Sequence, residues 1–320
     1  MHTAPRETAL TVTTDDGPSL VGTLTLPTGP GPYPAALLLY GSGPLDRDGN
    51  TDKLPLNLGR PLSEALAAAG VATLRYDRRG TGDSPGDWRT AGFTDNRRDA
   101  GRALAVLAAH PCVRTDSLAV VGHSEGALHA MALAARYEVR AVVLLAGFAR
   151  RGEAALRWQA ASVLRGMPAP LRLLRRPLAA LGNRALTRIR QTRKRTARMY
   201  GMPVNARWMR EMLDHDSRHD LTAVRAPVLA VTGDKDIQVP AADLAVIEGL
   251  LPAGGAEVHR VPDLTHLLRR DPARHTLRSY RRLLREPVDP ALLDLVATWT
   301  GDRLGARIDE TAAEGRKPSA

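Results

Sequence analysis

Residues 122–126 read Gly122-His123-Ser124-Glu125-Gly126, a Gly-x-Ser-x-Gly pattern on which the predicted fold depends. The stretch Asp116–Val121 before it has the apolar character of a short buried strand, and Ala127–Arg136 after it carries apolar residues at helical spacing. A strand that turns sharply into a helix at a serine is a nucleophile elbow, which exposes the hydroxyl at the tip of a strained turn. The pattern alone leaves a second interpretation open, a glycine-rich turn with a solvated serine.

The composition bounds the class of protein. The chain has 320 residues, 43% of them hydrophobic, which suffices for one large α/β domain with an inserted piece. Its single cysteine, Cys112, excludes an internal disulfide and is compatible with a reducing compartment. The first seven residues contain no apolar run, and no window reaches the apolar length of a membrane span. We therefore expect a cytoplasmic protein without a transmembrane segment.

The positive charge is concentrated in one part of the chain. The formal net charge is +11. Between Arg150 and Arg210 there are 16 lysines and arginines but one acid, Glu153, so this segment alone carries +15 and the remainder −4. The basic character therefore belongs to one segment rather than to the whole protein.

The hydrophobic pattern predicts a mixed sheet. Glu7–Thr14 and Ser19–Pro27 alternate apolar and polar residues around a turn, as in an antiparallel hairpin. Continuous apolar runs typical of strands buried on both faces then follow, at Ala35–Tyr40, Val71–Tyr76, Leu118–Val121, Ala141–Ala146 and Val228–Thr232. Helical patterns separate the first four runs, at Leu62–Ala69, Arg97–Ala109 and Ala127–Arg136. This alternation predicts an α/β fold with a mostly parallel sheet, helices on both faces and an N-terminal antiparallel hairpin.

The alternation stops between Ala146 and Pro227. Residues Arg150–Leu213 have helical periodicity broken by prolines, after which helices at Ala241–Leu250 and Pro290–Leu304 flank a strand at Glu257–Val261. We therefore predict a core formed by residues 1–147 and 214–310, an inserted basic helical cap over residues 148–213, and a flexible tail over residues 311–320.

A nucleophilic serine needs a base to accept its proton and an acid to orient that base. Asp234 and Asp236 both follow the strand Val228–Thr232, at the sheet edge where α/β folds bind ligands. His266 lies in the loop after the last strand, and His259, within that strand, is a weaker base candidate. The chain order of serine, acid and histidine is that of the nucleophile-elbow enzymes.

Two backbone N–H groups would form the oxyanion hole. One is that of Glu125, the residue after the serine. The other is expected in the glycine-rich loop Gly41–Gly49 after the strand Ala35–Tyr40, with the N–H of Ser42 preferred over that of Gly43.

Three motifs together resemble those of a known family. The stretch Tyr40–Asp48 matches the His-Gly-Ser-Gly-Pro-x-Asp-Arg-Asp loop of bacterial serine esterases and acyl-peptidase-like hydrolases, except that Tyr40 replaces the histidine. Arg75–Ser84 resembles their Asp-x-Arg-Gly-x-Gly-x-Ser turn, and Gly233–Pro240 resembles their acid loop. Over roughly residues 8–285 the chain is thus similar to the α/β-hydrolase superfamily. The resemblance assigns the catalytic acid to Asp236.

The resemblance also implies a mechanism. Ser124 attacks an acyl carbonyl, His266 accepts its proton, Asp236 orients His266, and the Ser42 and Glu125 amides hold the oxyanion. The foremost prediction is a carboxylesterase without metal or cofactor, and thioesterase or peptidase activity on an anionic or carrier-bound acyl substrate is the variant. A non-hydrolytic lyase, cyclase or binding protein of the same fold is the alternative from another class.

The basic segment allows three interpretations. In the first, its arginines are solvated on the outer face of a cap. In the second, they attract an anionic substrate, such as a carboxylate-bearing ester or a thioester with a phosphorylated carrier. In the third, they contact a polyanionic partner: an acidic carrier protein, an anionic lipid or a nucleic acid. The densest stretch, Arg188–Arg195, has no interleaved aromatic residues and belongs to no nucleic-acid module, so specific nucleic-acid binding is not predicted.

Overall fold

The computed structural model describes residues 5–15, 17–166, 175–252, 254–273 and 276–306. The predicted flexible tail, residues 311–320, lies outside them. The strands are β1 (Arg6–Val12), β2 (Leu20–Leu26), β3 (Tyr33–Leu39), β4 (Asn50–Thr51), β5 (Leu54–Pro55), β6 (Ala72–Tyr76), β7 (Val113–His123), β8 (Ala141–Leu145), β9 (Thr196–Met199), β10 (Met202–Asn205), β11 (Val228–Gly233) and β12 (Ala256–Val261). The helices are α1 (Gly59–Ala68), α2 (Phe93–Ala108), α3 (Glu125–Ala134), α4 (Gly152–Arg165), α5 (Arg175–Gln191), α6 (Ala206–Asp214), α7 (Ser217–Leu221), α8 (Asp243–Leu250), α9 (Tyr280–Leu283) and α10 (Pro290–Leu304), with a short 3₁₀ helix at Leu277–Ser279.

The main sheet has eight strands in the order β1-β2-β6-β3-β7-β8-β11-β12. Strand β2 is antiparallel to both of its neighbours, and the pairs from β6 to β12 are parallel. The predicted fold class, with its N-terminal hairpin and mostly parallel sheet, is confirmed. Because β3 lies between β6 and β7, the loops after β3 and β7 emerge at the point where the strand order reverses, where such sheets bind ligands.

The strands are buried on both faces, which is why they read as continuous apolar runs. In β7, Leu118 and Val120 pack into the core beneath α2 and α3, whereas Ala119 and Val121 pack into the core beneath α1 and α10. Alternate side chains of β7 thus pack against helices on opposite faces of the sheet. This alternation fixes the register of the strand that leads into the serine turn.

Several elements extend beyond the predicted bounds. Helix α2 begins at Phe93, before the predicted start at Arg97, because the carboxylate of Asp95 accepts the Gly92 N–H at 2.9 Å and caps the first turn. Strand β7 begins at Val113 rather than near Leu118. Polar residues near the starts of α2 and β7 interrupt the apolar pattern, so the sequence did not indicate where these elements begin.

The inserted segment (residues 148–213) contains a β-hairpin in addition to the helices that its periodicity predicts. Helices α4, α5 and α6 are joined by a hairpin of β9 and β10. Its two-residue turn consists of Tyr200 and Gly201, with φ of 51° and 82°. Paired positive φ values suit a hairpin turn, but tyrosine rarely adopts them, so the sequence carried no turn signal there.

Candidate active site

The serine turn has the strained geometry that the pattern predicts. Ser124 has φ of 55° and ψ of −118°, directly between β7 and α3. A Cβ placed on Gly122 would lie 2.2 Å from the carbonyl oxygen of Gly126, and one on Gly126 would lie 2.2 Å from that of Leu39. Since neither backbone can give way, both positions require glycine for strand and helix to approach so closely.

Three side chains meet at the carboxyl end of the sheet. The Ser124 hydroxyl lies 3.0 Å from Nε2 of His266, and Nδ1 of His266 lies 2.8 Å from Oδ2 of Asp236. The other oxygen of Asp236 accepts the N–H groups of Gln238 and Val239 at 2.7 and 2.8 Å. A carboxylate fixed in this way accepts a hydrogen bond from Nδ1–H of His266, which leaves Nε2 of His266 free to accept the serine proton.

The other two candidates lie elsewhere. Asp234 is exposed and accepts the N–H of Asp263 at 2.7 Å. His259 is 37% exposed on β12 and pairs with Glu257 at 2.8 Å. The structure thus brings Asp236 and His266, but neither Asp234 nor His259, to Ser124.

Sequence reasoning missed a role for His123. Its Nε2 donates to the backbone carbonyl of His266 at 2.9 Å, and the two rings lie 5.0 Å apart. Burial and the neighbouring His266 lower the pKa of His123 to about 3, so this ring is neutral at neutral pH. It fixes the backbone of the histidine that faces the serine.

The loop after β3 passes directly beside the serine. A Cβ on Gly41 would lie 3.3 Å from Cβ of Ser124. Among the described residues, the Ser42 N–H donates no hydrogen bond. The Glu125 N–H is the first of α3 and has no acceptor within the helix. These are the two donors that the sequence indicated for an oxyanion hole.

The Asp-Arg-Asp part of this loop anchors it. Arg47 donates to Asp77 from its backbone N–H at 2.6 Å and from its guanidinium at 2.5 Å. The Asp46 carboxylate accepts the N–H groups of Asp48 and Asn50 at 2.9 and 2.8 Å. The motif therefore stabilises the loop, in which Gly41 lies beside the serine.

Tyr40, the departure from the family pattern, is buried at the end of β3. Burial raises the pKa of its phenol, and its hydroxyl has no partner among the described residues. The Tyr40 carbonyl accepts Nη2 of Arg78 at 2.5 Å. Arg78 thus holds the loop at the position where the family has a histidine.

The Glu125 side chain occupies a buried polar cluster. It lies 3.4 Å from Arg78, 3.0 Å from His129 and 3.1 Å from Nε1 of Trp208. Burial opposes its ionisation, but the charge of Arg78 and the hydrogen bonds from His129 and Trp208 outweigh burial and hold the pKa of Glu125 at about 2. This carboxylate links the serine turn to the loop after β3 through Arg78 and to the inserted segment through Trp208.

A cavity of about 290 Å³ adjoins the loop after β3. Its walls include Ser42, Gly43, Asn96 and two tryptophans, Trp88 and Trp208. The inserted segment closes one side through Asn205, whose amide donates to the carbonyls of Trp88 and Ala91 at 2.8 and 2.6 Å.

The described part of the chain contains no cluster of three His, Cys, Asp or Glu side chains able to hold a metal ion. None of its helices combines the length and apolarity that crossing a membrane requires.

Residues 58–273 match the family of serine aminopeptidases, S33. The chain belongs to this family, since the match covers more than half of its length. It is 25% identical over 286 residues to the esterase EstD of Thermotoga maritima, covering 88% of this chain and 65% of that protein. The chain thus spans just under two thirds of that relative.

Solved structures show the same fold at low sequence identity. Est1E of Butyrivibrio proteoclasticus with ferulic acid bound superposes with a TM-score of 0.62 at 19% identity, covering 93% of this chain and 100% of Est1E. An esterase of Pyrococcus furiosus gives a TM-score of 0.60 at 15% identity, covering 94% of this chain and 91% of the esterase. Both likenesses support the α/β-hydrolase fold.

Proposed function

We propose that this protein is a serine hydrolase that cleaves carboxylic esters through an acyl-enzyme on Ser124. The observation that carries the proposal is the continuous hydrogen-bonded series from Ser124 through His266 to Asp236, with distances of 3.0 and 2.8 Å. Membership of the S33 family and the similarity to EstD support it.

In the proposed reaction, Nε2 of His266 accepts the Ser124 proton as Oγ attacks the acyl carbonyl. His266 becomes an imidazolium, which the Asp236 carboxylate stabilises, and it then protonates the departing alcohol. In the second half of the cycle, water attacks the acyl-enzyme with His266 again as the base. Throughout, two backbone N–H groups bond the second oxygen of this carboxylate and hold it in place.

The negative charge on the carbonyl oxygen develops between the two amides of Ser42 and Glu125. Preorganised donors of this kind contribute on the order of 10²-fold to 10³-fold each in serine hydrolases. Arg78 positions both sides of the hole, since it bonds the Tyr40 carbonyl and pairs with the Glu125 carboxylate. We therefore assign Arg78 a positioning role that substitutes for the missing family histidine.

We further propose that residues 1–147 and 214–310 supply the chemistry and that the inserted segment acts as a cap that shapes the substrate pocket. The cavity lined by Trp88 and Trp208 is close to the lower size limit of small-ligand sites, which favours a short or aromatic acyl group. The cap reaches the acid loop as well, because Gln159 on α4 donates to Gln238 at 3.0 Å.

The decisive variant is Ser124→Ala, assayed with a short p-nitrophenyl ester. We expect this variant to have no measurable turnover and the same melting temperature as wild type. Turnover retained by a folded Ser124→Ala protein would contradict the proposal. A panel that exchanges the oxygen ester for a thioester or an amide then separates the carboxylesterase from the thioesterase and the peptidase.

A further inference from the structure

A second cavity lies beside the pocket and contains an excess of positive charge. It has a volume of about 550 Å³, and its walls carry six arginines against two acids, Asp95 and Glu211. We call it the arginine cleft. It lies between α2 and the inserted segment, which supplies four of the arginines: Arg193, Arg195, Arg207 and Arg210.

Three of the six arginines are paired with acids. Arg207 lies 2.7 Å from Asp95 and 2.8 Å from Glu211, and Arg98 lies 2.5 Å from Asp95. Arg79 lies 2.7 Å from Asp99. In these pairs the acids hold the guanidinium groups against the wall and neutralise their charge. The three paired arginines therefore need no ligand.

The other three arginines have no acidic partner within the described residues. Arg193 and Arg195 are exposed and form no ion pair, and Arg210 donates only to the carbonyl of Lys194, at 3.1 Å. Three like charges on one cavity repel one another, and an anion between them removes that repulsion. The cleft therefore has about three uncompensated positive charges, which favour the binding of a multivalent anion.

The chemistry of the cleft favours phosphate over carboxylate. A phosphate monoester carries between one and two negative charges at neutral pH and offers three acceptor oxygens, one for each unpaired arginine. A carboxylate brings one charge and two oxygens, so it would leave the cleft strongly positive.

The cleft adjoins the pocket beside the oxyanion loop. Arg79 forms part of the wall of both cavities, and the neighbouring residues Arg207 and Trp208 face the cleft and the pocket, respectively. A substrate with its acyl group against Trp208 therefore has an anion site next to it. We propose that the arginine cleft binds a phosphate group at the non-reacting end of an acyl substrate; this rests on the serine hydrolase function proposed above.

Binding is tested separately from catalysis, by calorimetric titration of the intact protein with inorganic pyrophosphate. We expect the double variant Arg193→Ala/Arg195→Ala to bind at least about tenfold more weakly than wild type, because it loses charge-assisted hydrogen bonds. The matched control is Arg184→Ala/Arg188→Ala, which removes two exposed arginines of α5 that do not line the cleft. The control should bind as wild type does. No binding to wild type, or equal loss in both double variants, would overturn the proposal.

Catalysis distinguishes a phosphate on the substrate from free phosphate. We compare kcat/KM for p-nitrophenyl esters of plain acids and of acids with a terminal phosphate, at several chain lengths. An advantage of about tenfold or more for one phosphorylated ester, lost in Arg193→Ala/Arg195→Ala but not in the control, is expected. The kcat/KM for the plain ester should be the same in wild type and in both double variants. Pyrophosphate binding without this advantage would indicate a site for a free phosphate-containing anion and overturn the assignment to substrate. No turnover of any ester would instead contradict the proposed hydrolase function and leave the binding result standing.

Discussion

The proposed reaction centre around Ser124 and the arginine cleft differ in how their charged side chains are paired. At the reaction centre, Asp236 and Glu125 are buried, and each is held by several donors. In the cleft, Arg193 and Arg195 are exposed and lack acidic partners in the described chain. A buried charge must be paired because desolvation is costly, whereas an exposed charge remains in water until a ligand displaces that water. The first arrangement is fixed by folding; the second is available for recognition.

The largest effect should come from the acid of the reaction centre. Asp236→Asn removes the charge that orients His266 and stabilises its imidazolium, so we expect kcat/KM for a p-nitrophenyl ester to fall by about 10⁴-fold. Asp234→Asn is the matched control from the same loop, and it should stay within a few-fold of wild type because Asp234 is exposed and contacts neither His266 nor Ser124. Equal losses in the two variants would show that the loop, rather than one carboxylate, is required.

Glu125→Gln tests the buried charge cluster. It leaves Arg78 facing a neutral amide, and removing one partner of a buried pair costs about 3 kcal/mol. We expect a loss of that order in the free energy of unfolding by urea, together with a lower kcat. Glu153→Gln is the comparison, because its partners Arg157 and Arg190 are largely exposed and such pairs contribute under about 1 kcal/mol.

The contribution of Glu125 should also depend on pH. The pKa of Glu125 is about 2 in the folded protein and ordinarily about 4.5. A depressed carboxyl pKa stabilises the fold above the ordinary value, and this stabilisation is lost as pH falls from about 4.5 towards 2. The difference in unfolding free energy between wild type and Glu125→Gln should therefore be constant near neutral pH and shrink over that window. A difference that grows on acidification would contradict the assignment.

A smaller effect is expected at His123. His123→Leu removes the donor to the His266 carbonyl, and we expect kcat to fall by about tenfold, with little change in KM, because the contact positions a base rather than the substrate. His123→Gln can place an amide N–H near the same carbonyl and should recover part of that loss. Equal kcat values for His123→Leu and His123→Gln would show that packing, rather than the hydrogen bond, positions His266.

The smallest effect should be the change in the free energy of unfolding when an unpaired arginine of the cleft is replaced. Arg195→Gln removes an exposed charge without an acidic partner, so the free energy of unfolding should change by less than about 0.5 kcal/mol, and at low salt it should rise. Arg207→Gln should be more costly, because it leaves Asp95 and Glu211 without their shared partner. A destabilising Arg195→Gln would show that the unpaired arginines serve the fold after all.

The fold could be predicted from the sequence because its signals are local. Apolar runs buried on two faces, helices between them and a glycine-flanked serine each occupy a few consecutive residues. The order of Ser124, Asp236 and His266 could also be read, since each follows a predicted strand and parallel strands end at one edge. The choice of Asp236 over Asp234 came from resemblance, and the structure explains it by burial and contact with His266.

The remainder depends on contacts between distant segments. The Glu125 cluster joins the serine turn to Arg78 after β6 and to Trp208 in the inserted segment. The arginine cleft likewise combines α2 with residues about a hundred positions later in the chain. No local pattern encodes such pairings. The hairpin of β9 and β10 escaped for another reason, because its turn places a tyrosine at positive φ.

The proposed mechanism depends on an activated nucleophile at Ser124, which covalent labelling can detect. The protein is incubated with a fluorophosphonate and digested, and the adduct is located by mass spectrometry. We expect a single adduct on Ser124 that forms rapidly in wild type, at the wild-type rate in Asp234→Asn and at least about 10²-fold more slowly in Asp236→Asn. A folded protein that forms no adduct, or forms it on another residue, would contradict the account.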